Sequence, residues 1–394
     1  MTDPIAIVGA SVAGSWLAER LTRAGHPVLL FDFRAPWEKP CGGGLTPQLL
    51  RRYPEIAALD PERREHRRME YQFPSGRRVS LSLAEPMVTI GRQRLNRALL
   101  DRAVAAGAEF VRAKVEAIRR EGGGVVVVAE GREWRGRLVV GADGALSLVR
   151  RTFLSPFPRE DLCLAFGLLL PVEVKLPVVI RFFPGFDGYA WIFPRRGQTS
   201  AGIALEGGGA RREELVRTLF AFVRAEWRRA GLTPPELPRP WAWMLPALRF
   251  QTFAEARVQG EGFALVGDAS GAADPVTGEG IYYALRTADL LADAIVAGRP
   301  ESYRQAWIDL TKVSIGRVSS MRPRFYRPST QRLLPLMLDY SPGCRRLVRE
   351  LTAGLQSYDT LKPRVLDNWR ALAREAIINL VLFRRGERPG EIDG

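Results

Sequence analysis

A cysteine followed by three glycines is the feature of this sequence that points most directly to chemistry. Residues 39–47 read KPCGGGLTP, so that Cys41 and the glycines lie between Pro40 and Pro47. A thiol is a nucleophile and a weak acid, with an ordinary pKa of about 8.5. Consecutive glycines weaken a fold unless a close approach requires them. The segment therefore predicts that some group comes close to this backbone, beside a thiol.

A second glycine-rich turn opens the chain, at positions Gly9, Ser11, Ala13 and Gly14. An apolar strand pattern leads into this turn, a helix pattern follows to about residue 24, and a second strand ends at Asp32. Gly9 permits the tight turn, Gly14 permits close helix packing, and the helix N-terminus offers N–H groups to a pyrophosphate. Asp32 is placed to accept a hydrogen bond from a ribose. The pattern predicts a βαβ unit that binds an adenine dinucleotide, although Ser11 replaces the middle glycine of GxGxxG.

Two later strands each end in a turn that carries an acid. Residues 136–150 (GRLVVGADGALSLVR) place Asp143 after a strand and before a helix. Residues 261–295 place a second strand end, glycines and a helix start in the order Gly267, Asp268, Gly278, Gly280 and Ile281. An acid at such a point can hold a ribityl chain, and the glycines let backbone N–H groups approach a phosphate or a flavin edge. Each turn by itself also fits an ordinary strand-to-helix connection.

Together and in this order, these motifs resemble the flavoprotein hydroxylase superfamily typified by p-hydroxybenzoate hydroxylase. The resemblance covers about residues 1–300 and implies that the cofactor is FAD. It also implies roles for two residues that composition and spacing do not single out. Arg92 matches the arginine that begins a helix along the flavin, and Val115 matches the position whose backbone meets the adenine.

The cysteine–glycine motif indicates one family within this superfamily. Pro40-Cys41-Gly42-Gly43 is similar to the Pro-Cys-Gly-Gly segment of geranylgeranyl reductases. Those enzymes saturate isolated double bonds in prenyl chains. The resemblance implies that the isoalloxazine ring lies against residues 41–44, with Gly42 and Gly44 among its contacts. Cys41 then lies near the reacting face. Two interpretations of Cys41 remain open: a proton donor or gate in catalysis, and a small apolar contact.

An aromatic strand supports the same family. Residues 188–205 contain Tyr189-x-Trp191-x-Phe193-Pro194 followed by Gly202, which is similar to the YxWxFP…GxG block of prenyl reductases. Ala204 stands where the second glycine of that block is expected. Alternation puts Tyr189, Trp191 and Phe193 on one face of a strand, where they could line a channel for an apolar chain. A plain sheet core would show the same alternation.

Composition excludes several classes of protein. The 394 residues carry a net charge of +15, and the basic residues are almost all arginines spread along the chain. This distribution favours a general arginine bias, or attraction to anionic lipid or phosphate, over nucleic-acid binding. Three cysteines without CxxC spacing and two histidines predict neither a disulfide scaffold nor a metal site. Without a signal peptide or spanning segment, we expect a cytoplasmic protein.

The motifs predict an α/β fold: a Rossmann-like FAD-binding domain, a β-sheet substrate domain and a C-terminal helical segment. We expect the FAD-binding domain to be discontinuous, over 1–68, 92–155 and 250–300. The substrate sheet takes 69–91, a hairpin turning at 75–76, and 156–249. We expect the region 301–394 to be helical. Its apolar cluster in 370–386 fits either peripheral contact with a membrane or a cap on the core.

Two functions follow from these expectations. The first is an FAD-dependent reductase of isoprenoid double bonds, with NAD(P)H or a ferredoxin-type donor as an undetermined reductant. The alternative is an FAD-dependent monooxygenase that hydroxylates an aromatic or polyketide. Because both share the cofactor motifs, only Cys41 with its glycines and the aromatic strand favour the reductase.

Overall fold

The structure is a computed structural model that describes residues 3–59, 62–206, 212–355 and 358–382. The strands are β1 (Ile5–Val8), β2 (Val28–Phe31), β3 (Gly44–Leu45), β4 (Arg64–Gln72), β5 (Arg78–Thr89), β6 (Glu109–Val111), β7 (Val115–Glu121), β8 (Gly124–Ala129), β9 (Arg132–Gly136), β10 (Leu138–Gly141), β11 (Leu162–Leu170), β12 (Val178–Phe182), β13 (Gly188–Arg195), β14 (Gln198–Glu206), β15 (Trp241–Pro246), β16 (Gln259–Gly260) and β17 (Phe263–Leu265).

The α-helices are α1 (Val12–Arg23), α2 (Pro47–Arg52), α3 (Pro54–Ala58), α4 (Arg92–Ala105), α5 (Leu148–Phe153), α6 (Arg212–Arg229), α7 (Phe250–Ala254), α8 (Ile281–Val296), α9 (Tyr303–Thr311), α10 (Val318–Phe325), α11 (Pro328–Tyr340), α12 (Pro342–Thr352) and α13 (Tyr358–Leu382). Short 3₁₀ turns occur at Arg159–Asp161, Gly267–Ser270 and Pro300–Ser302, and a π-helical turn spans Lys312–Arg317.

The chain divides into two compact units. The first contains Met1–Lys39, Gly91–Leu164 and Met244–Ser319, and the second contains Pro40–Ile90, Ala165–Trp243 and Ser320–Gly394. The sequence assigns residues 40–68 to the FAD-binding domain, and in the structure they group with the second unit. The region after residue 300 is also divided, because it supplies helices to both units.

The first unit is built on a six-stranded sheet in the order β16-β17-β10-β1-β2-β6, in which β16 alone is paired antiparallel. Strands β1 and β2 are apolar and buried along their whole length, as expected for parallel strands covered on both faces. A small antiparallel sheet, β7-β8-β9, belongs to the same unit. The predicted βαβ unit is present, and the parallel strands end at the turns that carry the motifs.

The second unit is built on an eight-stranded sheet in the order β15-β11-β14-β13-β12-β4-β5-β3. The predicted hairpin is β4–β5, with Gly76 in the left-handed region at φ +81° because a tight turn requires it. Helix α6 packs on β13 and β14 through Leu219, Phe222 and Trp227, which are buried. The aromatic strand predicted from the sequence is β13, in the middle of this sheet.

The last described helix, α13, has two different faces. Leu372 is buried, and Glu375 accepts hydrogen bonds from Ser341 and the Gly343 backbone. Ile377 and Val381 are 62% and 65% exposed. One face therefore caps neighbouring helices, as one interpretation of the sequence expected, and the other is uncovered by the described chain. Residues 383–386 of the predicted apolar segment lie outside the described residues.

Within the described ranges, no helix combines the length and apolar character that crossing a membrane requires. The same ranges contain no group of three or more potential metal-ligating side chains.

Candidate active site

The turn after β1 is shaped by two close backbone approaches. Gly9 has φ +103°, and a Cβ on it would overlap the Ala142 carbonyl at the end of β10. A Cβ on Gly14 would overlap the carbonyl oxygen of Gly9. Both glycines are therefore required by backbone geometry, and the first turn of α1 is brought directly against the strand ends.

Asp32 lies at the end of β2, beside this turn. Its Oδ2 accepts a hydrogen bond of 2.9 Å from the Ala10 N–H, and its Oδ1 accepts from the N–H groups of Arg34 and Ala35. These bonds fix the carboxylate at the position where the fingerprint expects a ribose partner.

Ser11 and Arg92 are brought together by α4. The Arg92 guanidinium donates to Ser11 Oγ at 3.3 Å, and Ser11 Oγ donates to Asn96 Oδ1 at 3.1 Å. Ser11 does not cap α1 with its side chain, so it leaves the helix N-terminus open. Arg92 is only 4% exposed, and its Nε has no hydrogen-bond partner among the described residues. A buried N–H without a partner is costly unless a ligand supplies the acceptor.

Asp143 faces the start of α5. Its Oδ2 accepts from the Leu148 N–H at 2.6 Å, and burial raises its pKa. Its Oδ1 is buried and has no partner within the part of the chain that the structure describes. One carboxylate oxygen of Asp143 therefore accepts hydrogen bonds from the start of α5, and the other accepts none from the described residues.

Asp268 lies in the 3₁₀ turn after β17 and is paired with a lysine. Its Oδ2 is 2.7 Å from Lys39 Nζ, and both side chains are largely buried. A Cβ on Gly280, the residue before α8, would lie 3.3 Å from Asp268 Oδ1. Gly267 and Gly278 have φ +57° and +69°. The second acidic turn thus brings a lysine, a carboxylate and the start of α8 together.

Val115 is the first residue of β7, and it packs against a core that contains Val8, Phe31 and Ala113. Val8 and Phe31 are the last residues of β1 and β2. The position that only the family resemblance singled out therefore lies beside the strand ends that carry the fingerprint.

The first unit fits FAD on three structural observations. The glycine cradle after β1 has no room for side chains, the N-terminus of α1 is not capped by Ser11, and two buried polar atoms, Arg92 Nε and Asp143 Oδ1, lack partners among the described residues. Such a site suits a pyrophosphate with flanking hydroxyl-rich groups.

In the second unit, the chain's own side chains explain the three glycines. A Cβ on Gly42 would lie 2.8 Å from the Phe193 ring, and one on Gly44 would overlap the Met87 methyl. Gly43 has φ +70°, and a Cβ there would overlap the Ile90 carbonyl. The family resemblance implies that these glycines make room for an isoalloxazine ring. Phe193, Met87 and Ile90 already require them, so flavin contact is a separate hypothesis.

A buried arginine holds the carbonyls of this segment. Arg195 is 1% exposed; its Nη2 donates to the Cys41 carbonyl at 2.5 Å and its Nε to the Gly42 carbonyl at 3.1 Å. Ser200 Oγ also donates to the Cys41 carbonyl, at 2.8 Å, and Trp191 Nε1 donates to Ser200 Oγ. Three alternating residues of β13 thus fix residues 41–44. Phe193 and Arg195 contact this segment directly, and Trp191 acts through Ser200.

The thiol itself is also oriented. Cys41 Sγ accepts a hydrogen bond of 3.3 Å from the Gly43 N–H. The turn that requires glycine at position 43 is the turn that directs this N–H at the sulfur. Cys41 is partly exposed, and it is not part of a disulfide.

The aromatic residues of β13 have different surroundings. The Trp191 ring lies over Gly202, its cross-strand partner, where a Cβ would overlap the ring. Ala204 pairs with Tyr189, and a Cβ on the neighbouring Gly188 would overlap the Ala204 carbonyl. Tyr189 is partly buried in an aromatic cluster with Phe182, Phe325 and Tyr326. Trp191 is only 5% exposed.

Several residues of these sites were missed in the sequence: Lys39, Asn96, Arg195 and Ser200. Arg195 had a usable signal, because the alternation of Trp191 and Phe193 extends to it. Lys39 directly precedes the Pro-Cys-Gly-Gly segment. The partners of Asn96 and Ser200 are distant in sequence, and no local pattern identifies them.

Comparison with known proteins agrees with this geometry. Residues 2–299 match the family model described as FAD binding domain. A geranylgeranyl diphosphate reductase of Rhodobacter capsulatus is 30% identical over 319 residues, which cover 76% of this chain and 78% of that protein.

Two solved structures share the fold. A geranylgeranyl bacteriochlorophyll reductase-like protein of Thermoplasma acidophilum matches with a TM-score of 0.73 at 20% identity, over 93% of this chain and 99% of that chain. PqsL of Pseudomonas aeruginosa, described as a probable FAD-dependent monooxygenase, matches with a TM-score of 0.64 at 19% identity, over 84% and 99%.

The fold and the first-unit site define the class as an oxidoreductase that binds FAD. Within that class, the chain belongs to the geranylgeranyl reductase family of FAD-dependent oxidoreductases.

Proposed function

We propose that the protein reduces carbon–carbon double bonds of an isoprenoid chain. The observation that carries the proposal is the held thiol: Cys41 Sγ accepts the Gly43 N–H while Arg195 and Ser200 bind the Cys41 carbonyl. Because these hydrogen bonds fix both the backbone and the sulfur of Cys41, the thiol is held in one orientation. The relative of R. capsulatus, named for geranylgeranyl diphosphate, supports an isoprenoid as substrate.

Reduction of an alkene requires a hydride at one carbon and a proton at the other. Bound FAD in its reduced state supplies the hydride. The chain's own contribution is the proton, held at Cys41 Sγ, and the exclusion of water around the alkene. An unactivated alkene is a poor hydride acceptor, so protonation must lead or be concerted, which favours a dry apolar pocket. After transfer, the thiolate keeps its hydrogen bond from the Gly43 N–H and regains a proton from solvent.

We assign FAD binding to three groups of residues in this proposal. The first turn would hold the pyrophosphate, Asp32 and Val115 would hold the adenosine half, and the remaining positions would hold the ribityl–flavin half. The full set is Gly9, Ser11, Ala13, Gly14, Asp32, Cys41, Gly42, Gly44, Arg92, Val115, Asp143, Gly267, Asp268, Gly278, Gly280 and Ile281. Tyr189, Trp191 and Phe193 are assigned to the isoprenoid chain, and the cluster around Tyr189 offers it aromatic surface.

The proposal includes peripheral contact of α13 with an anionic membrane surface. Trp369 is 55% exposed and Ile377 62%, and Arg370 and Arg374 are exposed along the same helix. Apolar residues beside arginines suit the interface between headgroups and acyl chains. Co-sedimentation with phosphatidylglycerol vesicles tests it: Trp369→Ser with Ile377→Ser should abolish binding, whereas equal binding by the double variant and the wild type contradicts it.

The function is tested without oxygen. Enzyme-bound FAD is reduced anaerobically and mixed with a geranylgeranyl substrate, and the flavin absorbance is followed. We expect reoxidation by the substrate alone. Cys41→Ala should slow this single turnover by at least about tenfold, or 1.4 kcal/mol of barrier, and Cys41→Ser should slow it less. FAD content is the control and should not change.

The opposite result also has a clear meaning. If the substrate alone does not reoxidise the flavin and a hydroxylated product forms once O₂ is admitted, the monooxygenase alternative replaces the reductase. If reoxidation occurs at equal rates in the wild type and both Cys41 variants, the reductase stands and the thiol is only a packing contact.

A further inference from the structure

A groove along the outer side of α6 is lined by basic residues. It has a volume of about 520 Å³, and its wall combines seven residues of α6 with two of the following proline-rich segment. The four arginines among them are Arg212, Arg217, Arg224 and Arg239. The groove lies within the second unit, and it shares no residue with the FAD-binding, thiol or aromatic positions discussed above.

The four guanidinium groups are not neutralised by the protein. Within the described residues, none of them forms an ion pair or a hydrogen bond, and Glu213 is the one carboxylate in the groove wall. Two other arginines of this unit are paired: Arg229, on the same helix, and Arg78 both contact the buried Glu226 and the partly buried Glu70. Like charges brought together without counter-charges repel one another unless an anion binds between them.

The remainder of the wall is apolar. Val216, Phe220, Ala221 and Pro240 lie between the arginines, and the Arg224 guanidinium is 5.8 Å from the centre of the Phe220 ring. A guanidinium over a ring is held in place for a ligand at low entropic cost. The groove therefore offers positive charge with apolar surface directly beside it.

We propose that this groove binds a phosphate group carried by an apolar chain. Arginines suit phosphate because the planar guanidinium donates two parallel hydrogen bonds to its oxygens. The apolar wall suits the first carbons of the attached chain. Two ligands share this chemistry, an isoprenoid diphosphate and a phospholipid headgroup. The choice of an isoprenoid as the first of them rests on the proposed function.

Binding is measured directly, by calorimetry on the FAD-loaded enzyme, so that turnover is not needed. The probes are geranyl diphosphate, geraniol and monomeric dihexanoyl phosphatidylglycerol at low ionic strength. Arg217→Gln with Arg224→Gln removes two charges from the groove. Arg228→Gln is the matched control, since Arg228 is exposed on the same helix but outside the groove. We expect the double variant to bind geranyl diphosphate at least about tenfold more weakly, and the control to bind as the wild type does.

The pattern over the probes identifies the source of the phosphate. Loss of affinity for geranyl diphosphate alone assigns the groove to an isoprenoid diphosphate, and loss for phosphatidylglycerol alone assigns it to a lipid headgroup. Geraniol binding should not change. If the double variant binds both phosphate probes as tightly as the control does, the groove proposal is wrong. If binding depends on the arginines but the reduced enzyme does not reduce geranylgeranyl substrates, the proposed function fails and the groove remains.

Discussion

The glycines of the two units have opposite neighbours. At the turn after β1, Gly9 and Gly14 bring backbone against backbone, and polar atoms close by, Arg92 Nε and Asp143 Oδ1, have no partners among the described residues. At residues 42–44, Phe193, Met87 and the Ile90 carbonyl occupy the space that side chains on the glycines would need. Arg195 donates hydrogen bonds to the carbonyls of residues 41 and 42. The first region therefore has polar atoms available to a ligand, and the second is fixed by contacts within the protein.

The difference suggests a division of work. A cofactor site must leave hydrogen-bonding groups unsatisfied until the ligand supplies their partners. A segment that presents a reactive side chain must instead be fixed before the substrate arrives, because misplacement of the reacting atom slows catalysis. We interpret the glycine segment as a rigid support for Cys41, with β13 as its anchor.

The largest effect is expected at Gly14. A valine there would place its Cβ on the Gly9 carbonyl, so Gly14→Val should lower the free energy of unfolding by about 3 kcal/mol or more and remove bound FAD. Gly25→Ala is the control at the other end of α1, where nothing lies within 4 Å but φ is +85°. It should cost about 1 kcal/mol and keep FAD. Flavin absorbance per protein and denaturant unfolding measure both, and a yellow Gly14→Val protein contradicts the cradle.

Arg195 is expected to give the next largest effect. Arg195→Gln leaves the carbonyls of Cys41 and Gly42 without their charged donor, at a cost of about 3 kcal/mol. It should also change the pH dependence of Cys41 alkylation, read by peptide mass spectrometry, and Arg195→Lys should restore part of it. Cys344 is an internal reference, because burial and Glu375 raise its pKa to about 11.

A structural control separates positioning from simple stability. Arg322 is also buried in the second unit, at 6% exposed, and pairs with Glu206 at 2.9 Å. Arg322→Gln should lose stability and leave the alkylation profile of Cys41 unchanged. An unchanged profile in Arg195→Gln as well would reduce Arg195 to a packing residue.

The contact of Trp191 with Gly202 predicts a smaller effect. Gly202→Ala would displace the Trp191 ring, which donates a hydrogen bond to Ser200. The substitution should lower the free energy of unfolding by about 2–3 kcal/mol. Ala204→Gly, two residues along the same strand, adds no atom and should cost less than about 1 kcal/mol. Unfolding midpoints of the two variants compare them, and equal values would show that Trp191 is free to move.

Acid should weaken the second unit through His66. Burial and the Arg64 guanidinium lower the pKa of His66 to about 4. Between pH 6.5 and 4 the unfolded chain binds a proton that the folded chain does not, so stability falls as pH falls. From pH 7 to 5 this should remove about 2 kcal/mol. Urea unfolding at both pH values measures the loss, and His66→Gln should remove this part of it. A His66→Gln protein with the full pH dependence would assign the loss to other groups.

Local sequence patterns predicted the secondary-structure elements well, but they did not predict which residues contact the glycine segment. The fingerprint gave α1 and the acid at the end of β2, and the start of α8 at Ile281 followed from Gly280 before an apolar helix pattern. The sequence assigns residues 40–68 to the first unit, whereas in the structure they group with the second, in which Gly44 pairs with Thr89. No local pattern encodes that pairing. The bond from Arg195 to Cys41 joins residues 154 positions apart.

We propose that this protein adds hydrogen, and not oxygen, to an isoprenoid. The most direct measurement is mass spectrometry of the product formed by the complete enzyme with a reductant, a geranylgeranyl substrate and isotopically heavy O₂. We expect products heavier by two hydrogens for each reduced double bond, with no heavy oxygen, and the same products without O₂. Incorporation of one heavy oxygen atom per turnover would contradict it.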